Sequence, residues 1–394
     1  MRKNINKLAT LVMTGALAAS MSFAAFAEGE TQTQTPTITV SKKNEDAVTE
    51  GGLLTIKKYV TTDGQTMAPN TTFTLNVTGG AITGNYKDPN GKTYYGITSG
   101  ANLLPSTTTA TATFSPTGAK DANGNAVNLS DKYMGEFKID FSGVNYPNAG
   151  VYSYQVTEVN GRYDGIKYDT AAKDVLVFVV NENNSRVVKN IILLNSDKNA
   201  KIDSITNDYG ADSDNDSTHD LTISKAVTGT GANLSEKFTF EIKVTGEAGE
   251  MYKVYLVEGD GETETLTEKT VLTSNTEAEF KDIQNGTKLR IYGLDNNDTV
   301  SVRELQAGLN GYSTSYVVEN NGTDGNKSET TLANAEAAAT ANAKVDHATL
   351  TITNNKEYVT PTGVAMDIAP YALMVALAGG AAATFLRKKE SFED

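Results

Sequence analysis

From Leu53 onward the chain is written in short runs of alternating polar and apolar residues, such as Thr72-Phe73-Thr74-Leu75-Asn76-Val77, and in compact apolar runs such as Val175-Leu176-Val177-Phe178-Val179-Val180. Thr, Val, Ile and Tyr dominate these runs. Turn dipeptides, including Asn90-Gly91, Asn123-Gly124 and Asp164-Gly165, separate them. A period of two interrupted by such turns predicts antiparallel strands packed as β-sandwiches, not parallel α/β units. The one helix candidate, Leu332 to Ala343, is Ala-rich and has no apolar stripe. The expected organisation is all-β. A flexible Thr-, Gln- and Glu-rich leader spans 28–51, a first sandwich 52–210, an acidic linker 211–220 and a second sandwich 221–358.

The two halves repeat a pattern. Leu54-Thr55-Ile56-Lys57-Lys58 matches Leu221-Thr222-Ile223-Ser224-Lys225 at the domain starts. The strand ending in Val156-Thr157-Glu158 matches the one ending in Val302-Arg303-Glu304. Ile205-Thr206-Asn207 matches Ile352-Thr353-Asn354 at the ends. Three matches in the same order are far less ordinary than one.

Parity gives the repeat chemical meaning. Side chains two apart on a strand share a face. Lys58 therefore continues the row of Leu54 and Ile56, Glu158 that of Tyr154 and Val156, and Asn207 that of Ile205. Lys225, Glu304 and Asn354 continue the corresponding rows of the second half. Their neighbours Lys57 and Asn355 fall on the opposite faces. A buried Lys and a buried Glu are costly unless paired or neutralised. One reading of a single such triad is an ordinary buried hydrogen-bond network. The other is reactive. Burial favours the neutral amine and the protonated acid, the amine can attack the Asn side-chain carbon, and the Glu can hydrogen-bond to the amide carbonyl and pass protons to departing ammonia. The product is an amide joining the first strand of a domain to its last, with no cofactor. Recurrence of the set in both halves favours the reactive reading.

The ends say where this would happen. Arg2, Lys3 and Lys7 precede an apolar stretch, Leu8 to Ala19, and Ala25-Phe26-Ala27 supplies small residues for cleavage before Glu28. Residues 1–27 are thus expected to be a secretory signal. At the other end, residues 359–394 begin with Val359-Thr360-Pro361-Thr362-Gly363. They continue with an uncharged, mostly apolar stretch from Ile368 to Leu386, long enough for one membrane span, and Arg387-Lys388-Lys389 follows. This order resembles a sortase sorting signal of the pilin type, which carries Pro-Thr-Gly where the commoner signal has Leu-Pro-X-Thr-Gly. A secreted, wall-anchored protein with a transiently membrane-bound precursor is implied.

Charge and composition narrow the function. The formal net charge is −14; the signal and the segment after Gly363 hold six of the 34 basic residues and four of the 48 acidic ones, so the remainder carries 28 against 44, about −16. That argues against nucleic acid or an anionic membrane as partner. With no cysteine and only His219 and His347, cysteine, Ser-His and His-metal chemistries are poorly supplied. Asp212, Asp214 and Asp216 have the spacing that opens a calcium loop. Ser217 stands where that loop needs Gly and Ile223 where it needs Glu, so no metal is assigned.

The ordered set of motifs resembles the Gram-positive, streptococcal-type backbone pilins. It comprises an early Lys, Tyr152-Ser153-Tyr154-Gln155-Val156-Thr157-Glu158, Tyr168-Asp169 and a closing Thr-Asn. In the second half, Ile291-Tyr292-Gly293-Leu294 leads to the Glu304 strand and Gly311-Tyr312. The resemblance implies tandem Ig-like (CnaB-like) sandwiches. It implies one isopeptide bond from Lys58, Glu158 and Asn207, and another from Lys225, Glu304 and Asn354. It also implies a structural role in a covalent head-to-tail polymer of identical subunits. A pilin-type sortase would cut between Thr362 and Gly363 and join Thr362 to Lys201 or Lys198 of the next subunit, and the polymer would be anchored to peptidoglycan. A single wall-anchored adhesin or minor pilin that binds a host-surface ligand is the alternative.

Overall fold

The computed structural model describes residues 48–88, 90–210, 218–259, 261–307, 309–319, 328–332, 337–342, 347–358 and 374. The signal, most of the leader, Asp212 to Ser217, the Val359–Gly363 motif and nearly all of the C-terminal apolar segment lie outside these residues. The chain divides into two compact units at Asp212–Ser213, and the structure is all-β.

In the first unit the strands are β1 (Val48–Glu50), β2 (Leu53–Thr61), β3 (Thr71–Gly79), β4 (Gly84–Lys87), β5 (Thr93–Ser99) and β6 (Thr109–Phe114). They continue with β7 (Lys132–Asp140), β8 (Gly150–Glu158), β9 (Lys173–Glu182), β10 (Ser185–Leu194) and β11 (Ser204–Asp208). One sheet sets β2 between β7 on one side and β1 and β11 on the other. The second sheet runs β10-β9-β8-β3-β6, with β5 joining β8 and β4 joining β5. Between the sheets lies one core. It includes Leu54 and Ile56 from β2, Phe137 from β7 and Ile205 from β11 on one side, and Phe73, Tyr154 and Val177 on the other.

Two differences from the alternation pattern have physical causes. The leader ends earlier than expected, because Val48–Glu50 pairs with β2 at Leu53–Thr55, the stretch of that edge that β11 leaves uncovered. The reversal between them passes through Gly51 and Gly52, both at positive φ, a conformation that costs glycine little. Strand β9, from Lys173 to Val179, is buried on both faces. A second cluster of Ile82, Tyr94, Ile97, Leu176, Phe178, Ile192 and Leu194 covers the face turned away from the main core, so the apolar run at 175–180 does not alternate.

The second unit contains β12 (His219–Thr228), β13 (Phe238–Thr245), β14 (Met251–Glu258), β15 (Thr265–Thr273), β16 (Glu277–Ile283) and β17 (Lys288–Leu294). After these come β18 (Thr299–Glu304), β19 (Ser313–Glu319), β20 (Ser328–Leu332), β21 (Ala338–Ala341) and β22 (Ala348–Asn355). One sheet has the order β15-β14-β17-β12-β22-β19-β20, the other β16-β13-β18-β21. Strand β12 begins at His219, which is buried. His219 and Asp220 therefore belong to the sheet and not to a linker. The Ala-rich stretch is a strand over Ala338–Ala341. It pairs with β18 and buries Ala339 and Ala341 alternately. Alanine carries too little apolar contrast to advertise a period of two, and its helix preference yields to the pairing.

Candidate functional site: two buried amine–carboxyl–amide triads

In each unit the first long strand and the last lie side by side and parallel. Ile205 of β11 stands opposite Lys58 of β2, and Ile352 of β22 opposite Lys225 of β12. Asn207 and Asn354 are each two residues further along, one side-chain step on the same face. The register offset between amine and amide is therefore the same in both units. Each glutamate arrives from the other sheet. Glu158 closes β8 opposite Leu75 of β3, and Glu304 closes β18 opposite Phe240 of β13.

The six side chains form two closed triads. The Lys58 Nζ donates to Glu158 Oε2 at 2.7 Å, and Asn207 Nδ2 donates to Glu158 Oε1 at 2.7 Å. The Lys225 Nζ donates to Glu304 Oε2 at 2.9 Å, and Asn354 Nδ2 donates to Glu304 Oε1 at 2.6 Å. All six residues are at most 2% exposed. Under each amine lies an aromatic face: Phe73 at 4.7 Å from Lys58 Nζ, and Phe238 at 4.4 Å from Lys225 Nζ. Both rings sit two residues before the residue paired with the glutamate. Gly135 is Lys58's cross-strand partner on β7. A Cβ there would meet the Phe114 ring at 2.8 Å. Its absence lets Phe114 meet Phe73 edge-on, with centroids 5.3 Å apart.

Electrostatics prepares the first triad for reaction. Burial pulls the Lys58 amine down to about 8 against the opposing pull of Glu158. Burial also raises the Glu158 carboxyl, against Lys58 and Asn207, which favour its ionised form. Lys225 is likewise lowered, chiefly by burial. Loss of charge from both members of a buried pair gives a nucleophilic amine beside an acid. The glutamate lies on the amide nitrogen and not on the carbonyl expected from the sequence. Oε2 lies at the amine proton and Oε1 at the amide nitrogen, the two positions from which one carboxyl can pass a proton between amine and amide. The carbonyl oxygen of Asn207 instead accepts the Asp169 backbone N–H at 2.9 Å.

That donor comes from the β8–β9 connection, which is tied to the end of β11 by a backbone bridge between Lys167 and Asp208. Lys173, 5% exposed, holds the Asp169 carboxylate at 2.5 Å and the Ala171 carbonyl at 2.8 Å. Asp169 could have been found from the Tyr168-Asp169 pair. Lys173, Phe73 and Phe238 carried no comparable signal. The adjacent Lys57 points out and pairs with Asp203 at 2.9 Å, and Asn355 accepts from the Thr228 hydroxyl. Lys198 and Lys201 lie in the β10–β11 connection and join neither triad. The Lys198 Nζ is 3.5 Å from the buried Asp174 carboxylate, and Lys201 bridges Leu194. The Val359, Thr360, Pro361, Thr362 and Gly363 motif is outside the described residues.

Residues 54–210 match the profile of the Spy0128-like isopeptide containing domain, and residues 219–356 match a family described as a domain of unknown function. The pilin of Streptococcus pyogenes serotype M1 is 28% identical over 405 residues, covering 98% of this chain and 100% of that protein. The crystal structure of the major pilin from Streptococcus pyogenes superposes with a TM-score of 0.55 at 21% identity, over 79% of this chain and 100% of that one. The major pilin T3.2 of the same species gives 0.52 at 22% identity, over 79% and 99%. The resemblance to pilins drawn from the motifs is thus matched in sequence by a streptococcal pilin along the chain and in fold by the major pilins.

Proposed function

We propose that this chain is the shaft subunit of a sortase-assembled pilus and that each domain closes its own Lys–Asn isopeptide bond. The observation that carries the reading is the duplicated triad. It sits between the first and last strands of both units at one register offset, on buried aromatic floors. In each domain Lys58 or Lys225 Nζ forms a bond to Asn207 or Asn354 Cγ, the Cγ–Nδ2 bond breaks, and ammonia leaves. Glu158 or Glu304 receives a proton from the amine and returns one to the leaving nitrogen. Neighbouring strands hold the groups in place, so proximity supplies much of what a separate catalyst would. Similarity to a streptococcal pilin and the Pro361-Thr362-Gly363 pattern support surface anchoring to peptidoglycan and polymerisation by a pilin-type sortase through Lys201 or Lys198.

A bond from first strand to last suits a fibre under tension, because load entering at Lys58 leaves at Asn207 without stretching the sandwich between them. Intact mass of the recombinant mature chain tests the chemistry. Loss of two ammonia molecules is expected, and a mass equal to the plain sequence removes it. Wall extracts on a denaturing gel test assembly. A ladder of covalent multimers is expected, whereas a single band means a wall-anchored monomer such as an adhesin.

A further inference from the structure

The proposed reaction puts negative charge on the asparagine carbonyl oxygen as its carbon becomes tetrahedral, and a buried oxyanion needs a hydrogen-bond donor. In the first unit Asp169 N–H is that donor. In the second unit, Asn354 Oδ1 is buried with no hydrogen-bond partner among the described residues. Across the strand pair, Thr314 of β19 stands directly opposite Asn354 of β22. Thr314 is 1% exposed, and its Oγ1 is also buried without a partner among the described residues. Directly opposed residues on an antiparallel pair hold their Cβ atoms about 4.5–5.5 Å apart. Each orphaned buried polar atom is costly, and here two stand on neighbouring strands, one able to donate and the other to accept.

We propose that the Thr314 hydroxyl is the oxyanion donor of the second triad, doing at Asn354 what the Asp169 backbone N–H does at Asn207. Rotation about the Thr314 Cα–Cβ bond turns Oγ1–H toward Asn354 Oδ1. Lys225 Nζ then bonds to Asn354 Cγ, with Glu304 Oε2 taking the amine proton. Thr314 stabilises the charged oxygen until the Cγ–Nδ2 bond breaks, and Oε1 gives the leaving nitrogen its proton. The hydroxyl ends with its own proton, so nothing beyond ammonia is released. The difference from the first unit follows from topology. Beside β11 lies the β8–β9 connection, which can turn a backbone N–H toward the amide. Beside β22 lies the regular strand β19, whose backbone groups serve the ladder, so a side chain must supply the donor.

This inference rests on the isopeptide reading, and its test separates the two. The full mature chain is made by pulsed cell-free synthesis, and crosslinked peptides of each domain are quantified by mass spectrometry against time. Thr314→Val keeps the shape and removes only the hydroxyl, and Thr314→Ser keeps the hydroxyl. Closure of Lys225–Asn354 is expected to slow on the order of 100-fold in Thr314→Val, the usual loss when one oxyanion donor is removed. It should stay near the wild-type rate in Thr314→Ser. Lys58–Asn207 in the same molecules should close unchanged, which reports that the chain is made and its first domain folds, and protection of β22 from hydrogen exchange in the same samples reports that the second domain folds. Wild-type closure in Thr314→Val, or equal slowing in Thr314→Ser, overturns the role of the hydroxyl. Absence of the second crosslink in the wild type overturns the isopeptide reading itself.

Discussion

The two triads share a register offset, a bridging carboxyl and an aromatic floor, and they differ at the amide oxygen and in what surrounds the amine. Around the first site, Asp169 and Lys173 form a second ion pair close enough to act on Lys58, Asp169 raising the amine and Lys173 lowering it. Around the second, burial and then Glu304 act on Lys225, with no second ion pair beside it among the described residues. The second domain keeps its extra charges elsewhere. Glu250, Asp295 and Asp298 are gathered close together, with the Tyr252 hydroxyl donating to Glu250 at 2.6 Å and lying 3.1 Å from Asp298. Strand pairing and the core fix the three reacting groups. The supporting groups are whatever the neighbouring segment offers, a loop in one domain and a strand in the other.

The largest test of the comparison removes each glutamate. Glu158→Ala and Glu304→Ala should each abolish only the bond of their own domain, seen as the loss of one of two ammonia-loss events in intact mass. By analogy with disulfide loop entropy, each bond closes ~130–150 residues and contributes about 5 kcal/mol, so the affected domain should unfold much earlier in denaturant. Formation of both bonds in either variant would mean that the carboxyl is a bystander.

Much of the fold was legible because burial alternates cleanly along β2, β18 and β22. Parity alone separates Lys58 from Lys57, and the structure buries the first and leaves the second at the surface with Asp203. What stayed hidden depends on neighbours that a linear pattern does not name. The short β1 pairing answers a gap left by β11. The 338–341 strand lacks large apolar residues. The donor to Asn207 is a backbone group, and the residue facing Asn354 across the ladder is a threonine brought there by pairing across more than one intervening turn. The glutamate's place on the amide nitrogen is likewise a matter of geometry in three dimensions.

The next effect in size is a pH dependence larger in the second domain than in the first. Burial, followed by Asp295 and Glu250, pushes the Asp298 carboxyl up to about 8 from an ordinary 3.8. Between these values the folded domain holds a proton that the unfolded chain releases. The contribution is fully present below about pH 4 and is lost as pH rises toward 8. Hydrogen exchange at β18 should therefore quicken from pH 5 to 8 beyond the intrinsic chemical trend, and by more than at β8, where the raised Glu158 carboxyl acts in the same direction but more weakly. Equal behaviour of the two strands would mean that the acidic group is balanced by a bound cation or is less buried in solution.

In the first domain the sign reverses once the bond is prevented. In Asn207→Ala the Lys58 amine stays free, with its folded value lowered to about 8 from 10.5. Above pH 8 the unfolded chain binds more protons at this lysine than the fold does, so stability should rise between pH 8 and 10. Linked wild type has no titrating amine at Lys58 and should lack that rise. A flat profile in Asn207→Ala would show that Glu158 keeps the amine charged, and that the nucleophile must be generated during closure.

The smallest effect probes the loop. Lys173→Met removes the hold on Asp169 and Ala171 but keeps an apolar stem of similar length. The Asp169 N–H is still present and the Lys167–Asp208 bridge still ties the loop to β11, so the donor is loosened and not lost. Closure of Lys58–Asn207 should slow several-fold, well short of the ~100-fold expected for deleting a donor outright. Removing Lys173 also takes a positive charge away from Lys58, which favours the charged amine and works in the same direction. The two causes part at high pH, where the amine is neutral in either case. Slowing that persists at pH 9.5 is positional, and slowing that vanishes there is electrostatic. An unchanged rate at both pH values would mean that the backbone bridge alone positions Asp169, and the first site would then need no side chain beyond its triad to hold its donor.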